Sequence, residues 1–177
     1  MVEESANRSG RCLAAAEAGA AATGETLPRW NLSDLYEGPE DASFRADLEA
    51  APALPRFALL LVNPGVALET AAVFRQRSGA FTLARPWPER FETLEALIKE
   101  LRGRANDLEE TACGLRPEVL SCLGKLEGLP GCLLARMSGS GATCFGIFRD
   151  LKEAEAAAAR ITREQPHWWV EAAETDP

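Results

Sequence analysis

The sequence predicts an α+β fold: a small, mostly antiparallel sheet with helices on one face, preceded by an N-terminal arm of different character. Apolar runs of strand length at residues 57–62, 132–137 and 142–148 are stopped by Asn63-Pro64-Gly65 and by Ser138-Gly139-Ser140-Gly141. Between the first run and the second, apolar residues recur at helical spacing over 91–101 and 119–126. A block of helices between strands, with two of the strands joined by a short Gly-rich loop, fits a layered α+β domain.

The bulk composition narrows the function classes. A chain of 177 residues is long enough for one domain that buries roughly 70% of its unfolded surface. The net charge is −8 and the basic residues stand singly among acids, so no nucleic-acid partner is expected, since that needs clustered Lys and Arg. No apolar run approaches the roughly 20 residues that span a bilayer, and no membrane partner is expected. The acids Glu3 and Glu4 and the Ala-rich stretch after Cys12 make a poor secretory signal, so the expected location is cytoplasmic. Cys12, Cys113, Cys122, Cys132 and Cys144 form no C-x-x-C pair and read as free, mostly buried thiols. The single histidine, His167, excludes a histidine-built zinc site, and no metal ligand is assigned.

Residues 1–26 are rich in Ala and Gly with no large apolar face, and are expected to be disordered. Residues 27–54 form an acidic arm in which Trp30, Leu32, Leu35 and Tyr36 are the apolar anchors. Within it Ser43 is expected to cap a short helix bearing Phe44 and Leu48. The domain proper runs over 55–173, with 174–177 as a tail. Residues 57–62 read as its first strand, and a short helix begins near Glu69. Pro88 suits the first turn of a helix on Phe91, Leu94, Leu97, Ile98 and Leu101 that stops at Gly103. Asn106 and Glu109, three apart, read as a capping box, with Asp107 as a solvated first-turn acid. Pro117 restarts a helix on Val119, Leu120, Leu123 and Leu126. Two strands then flank the Ser-Gly loop; Arg136 reads as an edge or ion-pair residue and Cys144 as core. Asp150 caps the next helix, with Glu153 at the reciprocal position and Leu151, Ala154, Ala157, Ala158 and Ile161 as a narrow face suited to lie close on a sheet. Residues 168–172 supply the last strand.

Residues 27–50, through their Trp-x-Leu-x-x-Leu-Tyr pattern, resemble the N-terminal opening of oligoendopeptidase-F-type zinc metallopeptidases. Peptidase chemistry does not come with the resemblance, because no H-E-x-x-H segment is present.

A second resemblance covers more of the chain. Leu61-Val62-Asn63-Pro64-Gly65-Val66, Asn106-Asp107-Leu108-Glu109 and Ala135-Arg136-Met137-Ser138-Gly139-Ser140-Gly141-Ala142-Thr143-Cys144-Phe145 together resemble the GHMP kinase superfamily. Within it they resemble the C-terminal half of the 4-diphosphocytidyl-2-C-methyl-D-erythritol kinases, over about residues 51–173. The resemblance implies a GHMP-kinase C-terminal-like domain from a cytoplasmic enzyme of the methylerythritol phosphate route to isoprenoids. It implies ATP and Mg²⁺, and as substrate a cytidine-diphosphate-linked methylerythritol whose hydroxyl receives the γ-phosphoryl group. It places Ser138, Gly139, Ser140, Gly141, Ala142 and Thr143 in the third signature motif, next to substrate and phosphate loop.

The pattern departs from that family at its N-terminal side. No Pro-x-x-x-Gly-x-Gly-Gly run occurs in residues 1–50, whose glycines are isolated, and no catalytic residue is assigned. The chain is therefore expected to be incomplete as a catalyst, a truncated or fused reading frame joined near residues 50–55. The alternative is a non-catalytic interaction module: Trp30, Leu35 and Tyr36 dock on a partner or on the sheet, where Leu59, Leu61, Phe145 and Ile147 form an exposed apolar patch.

Overall fold

The computed structural model describes residues 40–49 and 51–175. The readings of residues 1–39, including Trp30, Leu32, Leu35, Tyr36 and Cys12, lie outside the described residues. Helix α1 spans Ala42–Glu49. Its cap is Asp41 rather than the expected Ser43: the Asp41 carboxylate accepts the Ser43 amide at 2.7 Å and the Ser43 hydroxyl at 2.6 Å.

From residue 58 onward the elements follow in the expected order: β1 (Ala58–Asn63), α2 (Thr70–Gln76), α3 (Leu94–Arg102), α4 (Glu109–Leu115), α5 (Pro117–Glu127), β2 (Leu134–Met137), β3 (Cys144–Phe148), α6 (Leu151–Glu164) and β4 (Trp169–Glu174). The four strands make one antiparallel sheet in the order β2-β3-β1-β4. The register sets Leu60 of β1 between Gly146 of β3 and Ala172 of β4.

Alternation along β1 explains why its apolar run is continuous. Ala58, Leu60 and Val62 are fully buried and join Phe148, Leu126 and Ile161 in the main core, which α4, α5 and α6 cover. Small residues allow α6 to lie close on the strands, with Ala154, Ala157 and Ile161 buried as expected. Withdrawing the Ile161 side chain from water contributes about 2 kcal/mol.

Leu59 belongs to a second cluster, in which Phe57, Phe145 and Ile147 meet Leu94, Leu97 and Ile98 of α3. The helical layer thus has a smaller companion on the other side of the sheet. This corrects the expected exposed patch: α3 packs on Leu59, Phe145 and Ile147, and Ile147 is only 2% exposed.

The start of α3 is a further correction. The helix begins at Leu94, not near Pro88, because the Thr93 hydroxyl accepts the Ala96 amide at 3.1 Å as its cap. The backbone before it is committed elsewhere: Ala53 N–H donates to Glu89 C=O at 3.1 Å and Phe91 N–H to Ala53 C=O at 2.9 Å. Phe91 is nonetheless buried, as its apolar character demands. At α6 the Asp150 carboxylate accepts the Glu153 amide at 2.9 Å, while the Glu153 carboxylate takes the Arg149 amide instead of reaching back to Asp150. Among the described residues no helix is long and apolar enough to cross a membrane.

Candidate functional site

The Ser-Gly loop closes the hairpin between β2 and β3. Ser138 N–H donates to Thr143 C=O at 2.8 Å, and Gly141 N–H to Ser138 C=O at 2.9 Å. Gly139 has φ +54° and Gly141 φ +86°, a region that glycine enters without the steric cost of a Cβ. At Gly141 the requirement is also spatial, since an added Cβ would lie 2.8 Å from Met137 Sδ and 3.0 Å from Leu68 Cδ2. Ala142 is buried beneath the turn, Ser140, Gly141 and Thr143 are half-buried, and Ser138 and Gly139 are exposed.

Side chains from three directions hold this loop. Asn63, at the end of β1, donates from Nδ2 to Thr143 Oγ1 at 2.9 Å and accepts the Gly65 amide on Oδ1 at 2.8 Å. Thr70, the first residue of α2, shares a hydroxyl–hydroxyl bond of 2.8 Å with Ser140. Asn106 donates to Met137 C=O at 3.0 Å and to Gly139 C=O at 2.8 Å, and accepts the Leu108 amide at 3.0 Å. Glu109 accepts the Met137 amide at 3.1 Å.

Asn106 and Glu109 are therefore not a capping box. Asn106 does receive one local amide, but Glu109 serves a strand 28 residues away. Asn63, Thr70, Asn106 and Glu109 are positioning residues that the sequence reading did not assign to the loop. The available signal was that three of the four lie within the two companion motifs; spacing alone could not say where their bonds went.

With its base tied, the loop presents its tip. The amides of Gly139 and Ser140 have no acceptor among the described residues, and the Ser138 hydroxyl is exposed and unbonded. Successive amides at a turn containing left-handed glycines form a small concave donor set suited to an anion. Asp107 faces away from this work. Its carboxylate accepts the Thr82 amide and hydroxyl, both at 2.9 Å, and these bonds, with Arg77 nearby, hold it below the usual aspartate range. It is thus a tether for the segment after α2, not a free first-turn acid. Arg136 lies in edge strand β2 and donates to Leu101 C=O at 3.2 Å rather than to a carboxylate.

Among the described residues the cysteines offer no activated nucleophile. Cys113, Cys122, Cys132 and Cys144 are free. The Cys122 thiol beside Cys144, together with burial, pushes the Cys144 thiol far above its ordinary range, and burial raises Cys113 and Cys132. Such thiols stay protonated. His167 is exposed, edge-on to Trp168.

Residues 83–167 match the family model for the C-terminal domain of GHMP kinases. Fold, loop and match agree, and this stretch is a GHMP kinase C-terminal domain. A solved homoserine kinase from Cytophaga hutchinsonii shares the fold, with a TM-score of 0.50 at 12% identity over 71% of this chain and 43% of its own.

Two curated relatives are more specific. The chain is 46% identical over 125 residues to the 4-diphosphocytidyl-2-C-methyl-D-erythritol kinase of Rhodospirillum rubrum, covering 71% of this chain and 41% of the relative. It is 45% identical over 160 residues to the enzyme of that name from Gluconacetobacter diazotrophicus, covering 83% and 52%. The chain spans about half the length of the curated relatives it matches.

Proposed function

We propose that this chain supplies the C-terminal part of a cytoplasmic ATP-dependent kinase acting on 4-diphosphocytidyl-2-C-methyl-D-erythritol, with residues 138–143 as one wall of the phosphoryl-transfer site. The observation that carries the reading is the loop itself: a tip of free amides on a base fixed by Asn63, Thr70, Asn106 and Glu109. Phosphoryl transfer depends chiefly on positioning and on donors aimed at phosphate oxygens. A pre-tied loop reorganises little when charge develops before it. Gly139 and Ser140 would donate amides and Ser138 its hydroxyl, while Thr70 and Ser140 hold each other in place.

The donor set fits a phosphate group. Mg²⁺ fits less well, since the loop carries no carboxylate and Glu109 is engaged by Met137. No group of three His, Cys, Asp or Glu suited to a metal ion occurs among the described residues. No residue described here is assigned to Mg²⁺, and the general base is likewise unassigned, so the chain alone is proposed not to turn over.

A hybrid enzyme tests this. Incubated with ATP, Mg²⁺ and the cytidine-diphosphate-linked substrate, the purified chain should give no turnover. Joined at residue 51 to the N-terminal half of the Rhodospirillum rubrum relative, it should give turnover, and Gly139→Val in that hybrid should lower kcat at least tenfold. Robust turnover by the chain alone refutes the incompleteness; a folded hybrid indifferent to Gly139→Val refutes the role of the loop.

A further inference from the structure

A second feature lies beside the loop but away from its tip. Residues 82–87 form one wall of a cleft of about 750 Å³ whose other side is the end of α3 and strand β2. That volume is in the range of small-molecule sites. Leu101, Met137 and Phe145 supply apolar surface on one side, and Leu83 and Trp87 on the other. Leu83 is 91% exposed, a large apolar side chain left in water.

The charge of the cleft opposes that of the chain. Arg85, Arg102, Arg104 and Arg136 line it and no Asp or Glu does, although the net charge of the whole is −8. Arg85 and Arg104 share a single carboxylate, Glu100, at 3.3 and 2.9 Å. Arg102 and Arg136 meet only backbone oxygens, Leu133 C=O at 3.0 Å and Leu101 C=O at 3.2 Å, and form no salt bridge among the described residues. Each keeps further N–H donors, and a guanidinium presents them in a planar fork that matches phosphate oxygens.

The outer wall is also built to stay in place. Arg104 stacks on Trp87 at 3.7 Å and donates to Arg85 C=O at 2.9 Å and Pro86 C=O at 2.8 Å. Asp107 fixes Thr82 at the other end of the same segment.

We propose that this cleft binds a small amphiphilic anion, a phosphate or diphosphate ester of a short apolar chain. The headgroup lies between Arg102 and Arg136 and the chain along Leu83, Trp87 and Phe145. A bare phosphate leaves the apolar walls wet, and an uncharged chain brings no partner to the two guanidinium groups. The combination of both surfaces selects a ligand with both parts.

The probe is octyl phosphate, below its micelle concentration, titrated into the full chain and followed by tryptophan fluorescence and calorimetry. Saturable one-site binding is expected. Shortening the chain to hexyl phosphate should weaken it at least fivefold, since each fully buried methylene multiplies affinity about fourfold. Inorganic phosphate and octyl glucoside should each bind at least tenfold more weakly than octyl phosphate. The double variant Arg102→Gln/Arg136→Gln should lose at least tenfold. Leu83→Ser, at an exposed position that does not threaten folding, should lose at least threefold. Absence of saturable binding, equal affinity for octyl glucoside, or a Leu83→Ser chain that binds like the parent overturns the proposal. None of these outcomes bears on residues 138–143, so the hybrid assay stands or falls separately.

Discussion

Replacing Asn106 by Ala removes the side chain that joins the start of α4 to both ends of the β2–loop junction. Three hydrogen bonds go: to Met137 C=O, to Gly139 C=O and from the Leu108 amide. Each contributes about 1 kcal/mol net. The Gly139 carbonyl sits in an exposed residue and regains water, whereas Met137 is only 2% exposed and its carbonyl is less readily hydrated. The expected loss is therefore about 2–3 kcal/mol, a large fraction of the stability of a domain this size. Urea unfolding followed by circular dichroism measures it, with an unchanged slope showing that the two end states are intact. Hydrogen exchange supplies the local readout: the Ser138 and Gly141 amides, both bonded within the loop, should exchange faster by more than the global loss explains. A destabilisation under about 0.5 kcal/mol, or one that leaves those two amides protected to the global level, would refute the tether argument.

Two substitutions of the same chemistry should separate at the loop glycines. Gly139→Ala meets nothing within 4 Å and should cost about 1 kcal/mol for its left-handed backbone alone, whereas Gly141→Ala adds contacts at 2.8 and 3.0 Å and should cost about 3 kcal/mol; the shift in urea midpoint reads the difference. Asp107 has a depressed pKa, so its share of stability is fully present above the unfolded value near 3.8 and is lost as the pH falls through the lower folded value. Carboxyl-carbon NMR should place its midpoint below 3.8, and Thr82→Ala, which removes the hydroxyl donor, should move it upward. Thr93→Ala should cost about 1 kcal/mol as a lost helix cap, while Pro88→Ala should leave α3 helicity unchanged; equal effects would restore the longer helix.

What was legible in the residues followed from burial. The alternate faces of β1 are both apolar because both sides of the sheet are covered, and a continuous run is what that demands. Asp150 was readable because its partner is three residues away. Asn106 and Glu109 show where that kind of reading ends. The same spacing serves a capping box or two long-range tethers, and only the arrival of β2 decides between them. Pro88 and Phe91 carried a helical pattern, yet Ala53 claimed the Phe91 amide and the first cap came at Thr93. The loop was identified by its glycines, which report backbone shape; its supports are ordinary polar residues whose meaning is set by what folds against them.

The bonds that steady the loop also govern how the sheet meets other strands. At the β2 margin, Glu109 occupies the Met137 amide, Asn106 the Met137 carbonyl and Arg102 the Leu133 carbonyl. A strand only four residues long, with these groups already engaged, is a poor template for an incoming chain. The opposite margin, β4, is six residues long and, among the described residues, has no such side-chain guards on its outer amides and carbonyls. Among the described residues the sheet therefore offers its less guarded backbone margin at β4, two strands removed from the hairpin that carries residues 138–143.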